Sequence, residues 1–289
     1  MLKKRIIAVL PILGGRVVQS ISFNQFLPIG SPEVCAEAVN MWGADELMLL
    51  DIHASKHKLK PDPDLVKKVA NYVSIPLTYG GGITTTDEMV ELINSGADKI
   101  TINTSALNNP TLITQASLIL GKQCVIVSMD IKETQNGCYE VFNSSDMIGT
   151  GMSPEVWAHN AENLGAGEIL INTIHRDGSG TGFDLVLLEL MLKSVSIPII
   201  LMGGAGHPSH FFECFRHGAD AAAAGNYFQF TEHSIITTKA YLKHHGIQIR
   251  MDTPATYDNV QFNETGRVAK FSDAYLKELK YSVIKKEVI

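Results

Sequence analysis

Ser196-Ile-Pro-Ile-Ile-Leu-Met-Gly203-Gly-Ala-Gly206, then a helical stretch, then Gly218-Ala-Asp-Ala-Ala-Ala-Ala-Gly-Asn226 is the passage that decides how this chain folds. A short apolar run reads as a buried strand of a parallel sheet. A glycine cluster directly after such a strand lets bare backbone N–H groups close on an anion at a helix start. Two units of this kind in succession read as a phosphate cradle.

The chain says the same thing earlier. Ser74-Ile-Pro-Leu-Thr-Tyr-Gly80-Gly-Gly-Ile83 is followed by a helical stretch and by Gly96-Ala-Asp-Lys-Ile-Thr-Ile-Asn-Thr104. Pro76 and Pro198 lie 122 residues apart, as do Asp98 and Asp220, and Gly43-Ala-Asp-Glu46 keeps the same offset from Gly165-Ala-Gly-Glu168. A repeat of half a chain is too long for a solenoid unit and reads as a duplicated half-domain.

Working outward, apolar runs at Ile6–Leu13, Leu47–Ile52, Ile75–Thr78, Lys99–Asn103, Cys124–Asp130, Ile169–Thr173, Ile197–Met202 and Ala221–Gly225 read as eight strands. Helical patterns lie between them, among them Pro32–Trp42, Pro63–Val73, Asp87–Ser95, Ser153–Leu164 and Pro208–His217. Alternation of this kind specifies parallel βαβ units. Eight of them close most economically as an α/β (β/α)₈ TIM barrel, with a doubly wound open sheet as the rival. The duplication favours the closed form, as two half-barrels that complete one another. Residues 1–250 are expected to form the barrel and 251–289 a C-terminal extension, with a short amphipathic helix at Phe271–Lys286. Gly14, Gly15 and the segment to Gly30 read as a long first βα loop, either a lid or a passive connection.

Composition limits the function. A length of 289 residues with 45% apolar content suits one such barrel, and a net charge of −6 argues against a nucleic-acid binder. Cys35, Cys124, Cys138 and Cys214 are scattered, which indicates neither a disulfide framework nor a zinc site and suits a reducing cytosol. The basic, apolar opening resembles a signal peptide, but it is also the strand the repeat requires. No run of about 20 apolar residues predicts a membrane span. His53 with His57, and His207 with His210, lack a third partner for a metal.

In a barrel, the C-terminal ends of the strands face the active mouth and their starts face the floor. The mouth then holds Pro11, Asp51, Gly80 to Gly82, Asn103, Thr104, Asp130 and Asn172, with Asp177, Gly178, Gly203, Gly204, Gly225 and Asn226 on the other half. The floor holds Arg5, Glu46, Lys99 and Glu168. Charges at the starts of four strands read either as solvated surface or as a ring of two acids and two bases across the axis.

Lys4-Arg-Ile-Ile-Ala, Gly15-Arg-Val-Val, Leu50-Asp-Ile-His-Ala-Ser, Gly80-Gly-Gly-Ile, Gly165-Ala-Gly-Glu-Ile-Leu, Arg176-Asp-Gly and Gly203-Gly-Ala-Gly together resemble the cyclase (HisF-type) subunit family of imidazole glycerol phosphate synthase. The resemblance runs from Met1 to about Arg250. It implies a substrate with a phosphate at each end. One phosphate site would use Gly81, Gly82, Asn103 and Thr104, and the other Asp177, Gly178, Gly203, Gly204, Gly225 and Asn226. Asp51 either positions substrate or satisfies buried backbone, and Asn172 joins the substrate-binding residues of the mouth. The resemblance further implies a glutaminase (HisH-type) subunit on the floor, which sends ammonia past a gate formed by Arg5, Glu46, Lys99 and Glu168. No cofactor or metal is implied.

Three positions depart from the family pattern. The family uses two aspartates as general acid and base. Aligning the opening strands of the two halves places Asp130 opposite Pro11, and proline has nothing to titrate. Gln19 replaces a lid-loop lysine, and His175 stands where an acid is usual. The sequence therefore resembles, within the family, the paralogues that work with a glutaminase and an amidotransferase-like protein to build acetamidino groups on nucleotide-activated sugars for surface polysaccharides. The working cyclase of histidine biosynthesis and a non-catalytic phosphate-binding scaffold are the alternatives. Asp130 is the candidate catalytic group. Nothing in the chain offers a glutaminase nucleophile.

Overall fold

A computed structural model describes residues 3–134, 136–229, 233–253, 257 and 260–278. Eight parallel strands form the barrel: β1 (Arg5–Leu13), β2 (Glu46–Asp51), β3 (Leu77–Gly80), β4 (Lys99–Ile102), β5 (Val125–Glu133), β6 (Glu168–Thr173), β7 (Ile199–Met202) and β8 (Ala221–Ala224). They pair in chain order, and β8 pairs back onto β1, so the barrel closes on itself. The open-sheet alternative is thereby excluded.

Both faces of the strands are buried, which is why they read as continuous apolar runs. Ile7 and Val9 of β1 point inward and join Met48, Ile126, Leu170 and Ile200 in a small cluster inside the barrel. Ile6, Ala8, Leu10 and Ile12 point outward into the larger core beneath the helices. Period-two alternation divides one strand between two cores.

Helices occupy the expected intervals: Pro32–Met41, Pro63–Ala70, Thr86–Asn94, Pro154–Leu164 and Pro208–Arg216. The offset of 122 extends to their caps. Asp62 accepts from the Leu65 N–H at 2.9 Å, and Asp184, 122 residues later, accepts from the Leu187 N–H at 3.0 Å. Each satisfies a helix-start donor that would otherwise be orphaned.

Two strand boundaries differ from expectation in the same direction. β3 begins at Leu77 and β7 at Ile199, each just after the proline that the apolar run includes. Proline has no N–H for the ladder, and these two contribute only their carbonyls, which accept from the Leu47 and Ile169 N–H groups at 2.9 and 3.0 Å. The first βα segment differs more. It is an antiparallel hairpin of strands Arg16–Ile21 and Gln25–Gly30, and not an irregular loop. Gly14 and Gly15, at φ +57° and +75°, form a two-residue turn that folds Arg16 directly back on Leu13. The second half repeats the device, with Tyr139–Asn143 folding back on β5.

Beyond Arg250 the described residues include a bridge between Phe262 and Val268 and a helix at Asp273–Glu278. The rest of the helix expected to run to Lys286 lies outside the described residues. No helix among the described residues is long and apolar enough to cross a membrane.

Candidate functional site

The four floor charges form a closed ring. Arg5 Nη1 lies 2.6 Å from Glu46 Oε1, and Arg5 Nη2 lies 2.7 Å from Glu168 Oε2. On the other side Lys99 Nζ lies 3.1 Å from Glu46 Oε2 and 2.6 Å from Glu168 Oε1. Every carboxylate oxygen has a cationic partner, and the ring has no net charge. The carboxylates are nearly buried and the cations only partly so (side-chain exposure of 7% and 9%, against 24% and 17%), so the surface reading of these charges fails.

Burial pushes the Glu168 carboxyl up, but Arg5 and then Lys99 outweigh it and hold it below its ordinary value of 4.5. A carboxyl depressed by folding contributes stability that is fully present above the unfolded value and lost as the pH falls through the folded one. Denaturant titrations at stepped pH will therefore show Glu168→Gln less stable than the parent at neutral pH. The gap will close below about 4.5. A gap that is the same at pH 3 and pH 7 contradicts the linkage.

At the mouth, Asp130 is buried, with 6% of its surface exposed. Asn172 Nδ2 donates to its Oδ1 at 3.0 Å, while Asn103 Nδ2 at 2.9 Å and Ser144 Oγ at 2.6 Å donate to its Oδ2. Burial raises this carboxyl above the ordinary range, against the three hydrogen bonds that favour its charged form. Pro11 occupies the equivalent place in the first half. The β1–β2 register pairs Pro11 with Leu50, the β5–β6 register pairs Asp130 with Asn172, and Leu50 and Asn172 are 122 residues apart. One half therefore presents a proline and a leucine where the other presents an acid and an amide.

The glycine clusters after β3 and β7 take backbone shapes only glycine adopts readily. Gly82 has φ +72°, and a Cβ there would press on the Leu59 carbonyl oxygen. Gly204 has φ +93°, and a Cβ would press on the Gly182 carbonyl oxygen. Gly81 and Gly203 also have positive φ. Beside the first cluster a cleft of about 380 Å³ opens between Gly14, Gly15, Asp51, His53 and Lys60. Asp51 has a backbone duty here, because its Oδ1 accepts from the Ala54 N–H at 2.9 Å and caps the helix Ile52–His57.

Residues after β6 and β8 on this side of the mouth are in contact with the first hairpin. Ser20 N–H donates to Asn226 Oδ1 at 3.1 Å, and Asn226 Nδ2 donates to the Ser20 carbonyl at 2.6 Å. Asp177 Oδ2 accepts from Ser20 Oγ at 2.7 Å and from the Phe23 N–H at 3.2 Å. Gly178 sits beneath, with no room for a Cβ beside the Ser20 carbonyl. Gly225 follows β8 with little more space, close to the Val9 carbonyl. His175 lies 3.6 Å from Asp184 and 3.7 Å from Glu133, at the rim.

Sequence reasoning missed Ser20, in a hairpin it read as a lid or a passive connection, and Ser144, in a segment to which it gave no role. Among the described residues, no group of three His, Cys, Asp or Glu is placed to hold a metal. His207 instead caps the helix Pro208–Arg216, and His53 packs against His57 with ring centroids 4.4 Å apart.

Comparison with known proteins agrees with this geometry. Residues 5–234 match the family described as "Histidine biosynthesis protein". The imidazole glycerol phosphate synthase subunit HisF of Thermococcus onnurineus is 42% identical over 253 residues, which is 87% of this chain and the whole of that protein. The subunit of the same name from Pyrococcus furiosus is 43% identical over 253 residues with the same coverage, and that of Geobacillus kaustophilus 41% over 252 residues, 86% of this chain and all of the relative. An eight-stranded barrel matched over the full length of such relatives belongs to the histidine-biosynthesis family that contains the HisF subunits of imidazole glycerol phosphate synthase.

Proposed function

We propose that this chain is the acceptor-binding subunit of a glutamine-dependent synthase. A HisH-type glutaminase docks on the barrel floor, and ammonia passes the Arg5–Glu46–Lys99–Glu168 gate and rises along the axis to a phosphorylated acceptor at the mouth. The observation that carries this reading is the closed ring beneath an axis that presents hydroxyl and amide oxygens able to accept. Thr78 Oγ1 and Thr101 Oγ1 are buried without a hydrogen-bond partner, and so are Asn103 Oδ1 and Asn172 Oδ1 beside Asp130. An unmet buried acceptor costs about 1–3 kcal/mol. Ammonia brings three N–H donors and no charge. On the floor side Met41, Tyr72, Leu118 and Ile119 are exposed at or just past the ends of their helices, which suits a protein partner.

The gate has a direct test. With the glutaminase subunit present, Lys99→Gln will lower glutamine-driven turnover by about tenfold, a scale of roughly 1.4 kcal/mol, and leave turnover driven by ammonium salts in place. Equal loss from both nitrogen sources removes the gate from the reading.

Two acceptors each have an observation in their favour. The names of the relatives support the cyclase step of histidine biosynthesis, and they support it better than they support the sugar reading. Pro11 favours the other. The family's ring closure uses two aspartates, and here the position equivalent to Asp130 cannot move a proton. Addition of ammonia during acetamidino formation on a nucleotide-activated sugar, alongside an amidotransferase-like enzyme, asks less of the site. Complementation of a histidine auxotroph separates the two. Growth establishes the histidine-pathway cyclase. Absence of growth, with glutamine-dependent ammonia release intact in the complex, favours the sugar acceptor.

A further inference from the structure

The hairpins of the two halves cross over. The first, from the half that begins with β1, places Ser20 against Asn226 in the second half. The second, from the half that begins with β5, places Ser145 Oγ 3.0 Å from Thr104 Oγ1 in the first half, with Asn143 Oδ1 at 3.4 Å. Thr104 and Asn226 are 122 residues apart, so the two hairpins meet equivalent positions of the opposite halves. Each candidate phosphate site is touched by the other half's hairpin.

Only the second hairpin also reaches Asp130. Ser144, between Asn143 and Ser145, donates to Asp130 Oδ2 at 2.6 Å. The tip that carries it is one compact turn, since Asn143 Oδ1 accepts from the N–H groups of Ser145 and Asp146 at 3.1 and 3.3 Å. The other two groups on Asp130 are the Asn103 and Asn172 amides, which have no proton to give up. Ser144 is partly exposed to the mouth, whereas Asp130 is buried. Of the described groups that hydrogen-bond the carboxyl, the Ser144 hydroxyl alone can accept a proton and release one through the same atom.

We propose that Ser144 is a positioning and relay residue: it holds Asp130 from the mouth side, carries protons between that carboxyl and the acceptor, and is moved by an anion that engages Thr104. In the acid direction the Asp130 Oδ2–H bond breaks and its proton passes to Ser144 Oγ. The Ser144 O–H bond breaks at the same time and that proton passes to the acceptor. Asp130 ends as the carboxylate, Ser144 is unchanged, and the acceptor has gained one proton. The base direction is the reverse. An anion at Thr104 Oγ1 competes with Ser145 and Asn143 for that hydroxyl, and so displaces the turn on which Ser144 sits.

The charges around Asp130 leave this hydroxyl as the adjustable element. Asp177 is the carboxylate that acts on it from across the mouth. Lys99 and Glu168 lie at the floor ends of the flanking strands, held in the ring. Lys132 and Glu133, which follow on β5, are exposed, with Lys132 over the Phe142 ring, and Asp146 on the hairpin is exposed. Glu140 is engaged by the Gly151 N–H.

The test is a carboxyl titration of the full-length chain labelled with ¹³C at aspartate side chains, the Asp130 signal being the one absent from Asp130→Asn. Ser144→Ala will raise the Asp130 midpoint by about one pH unit, the scale of one lost hydrogen bond to a charged group. Ser144→Thr will restore it. Inorganic phosphate will shift the midpoint further in the parent than in Ser144→Ala, where only the charge of the anion is left to act; equal shifts in the two overturn the link to Thr104. Equal midpoints in the parent and Ser144→Ala overturn the proposal, and a parent midpoint indifferent to phosphate overturns the link to Thr104. The proposal rests on Asp130 being the acid or base of the proposed function, but the titration needs no turnover. Failure of that wider reading would show separately, as ammonia-driven turnover that survives Asp130→Asn.

Discussion

Asp130→Asn lowers ammonia-driven turnover of the acceptor by roughly 10²–10⁴-fold, the usual worth of a general acid or base, and leaves the fold nearly as stable as before. The two halves of this expectation come from the same geometry. Asparagine keeps the shape of the side chain and removes a charge that burial already disfavours. Its new amide N–H₂ faces donors, but Asn103 and Asn172 each hold a buried Oδ1 with no partner, and turning either amide presents that oxygen instead. Ser144 can reverse its hydrogen bond as well. The hydrogen bonds therefore survive while the transferable proton does not. Turnover should be measured with ammonium salts as well as with glutamine, so that a defect at the mouth is not mistaken for one at the floor. If both nitrogen sources support parental rates, Asp130 only orients its neighbours, and the chemistry belongs elsewhere in the mouth.

That Pro11 stands where the second half has Asp130 is legible in the sequence alone, because a half-chain repeat lets one half be read against the other. The alignment of Pro11 with Asp130 is the same in the strand registers as in the sequence. The floor ring is legible for a related reason. Barrel strands normally start apolar, so charges at the starts of β1, β2, β4 and β6 stand out, although the pattern does not say whether they meet. The hairpins are hidden. Gln25–Gly30 is mostly exposed, so it carries no apolar alternation, and the turn that pairs it with Arg16–Ile21 runs through Ser22 and Phe23, whose N–H groups are held by the distant Asp177. Ser144 is hidden more completely. A serine at a hairpin tip is ordinary turn composition, and only the fold-back of Tyr139–Asn143 on β5, which pairs Phe142 with Asp130, brings it to that buried carboxylate.

Lys239→Met destabilises the protein by about 3–5 kcal/mol, the cost of leaving a buried charge without its partner. Lys239 and Asp45 are among the few charged groups nearly removed from solvent, with 1% and 6% of their surface exposed, and Lys239 Nζ lies 2.7 Å from Asp45 Oδ1. The other carboxylate oxygen, Oδ2, accepts from the Ile6 N–H at 2.7 Å. The pair thus ties the helix Ser234–His244, after the last barrel strand, to the turn before β2 and to the start of β1. Burial raises the Asp45 carboxyl and lowers the Lys239 amine, each opposed by the other's charge, so the cost of exposing one alone falls on the remaining partner. Lys239→Met with Asp45→Asn should therefore recover most of the loss, because no charge is left unpaired and the amide oxygen of the introduced asparagine still accepts from the Ile6 N–H. Urea midpoints for the parent, the two single variants and the double variant decide the matter. A single variant within about 1 kcal/mol of the parent, or a double variant as unstable as the sum of the singles, would mean that the helix is held by its apolar contacts alone and that Ile235, Ile236 and Leu242, each almost fully buried, close the barrel without this ion pair.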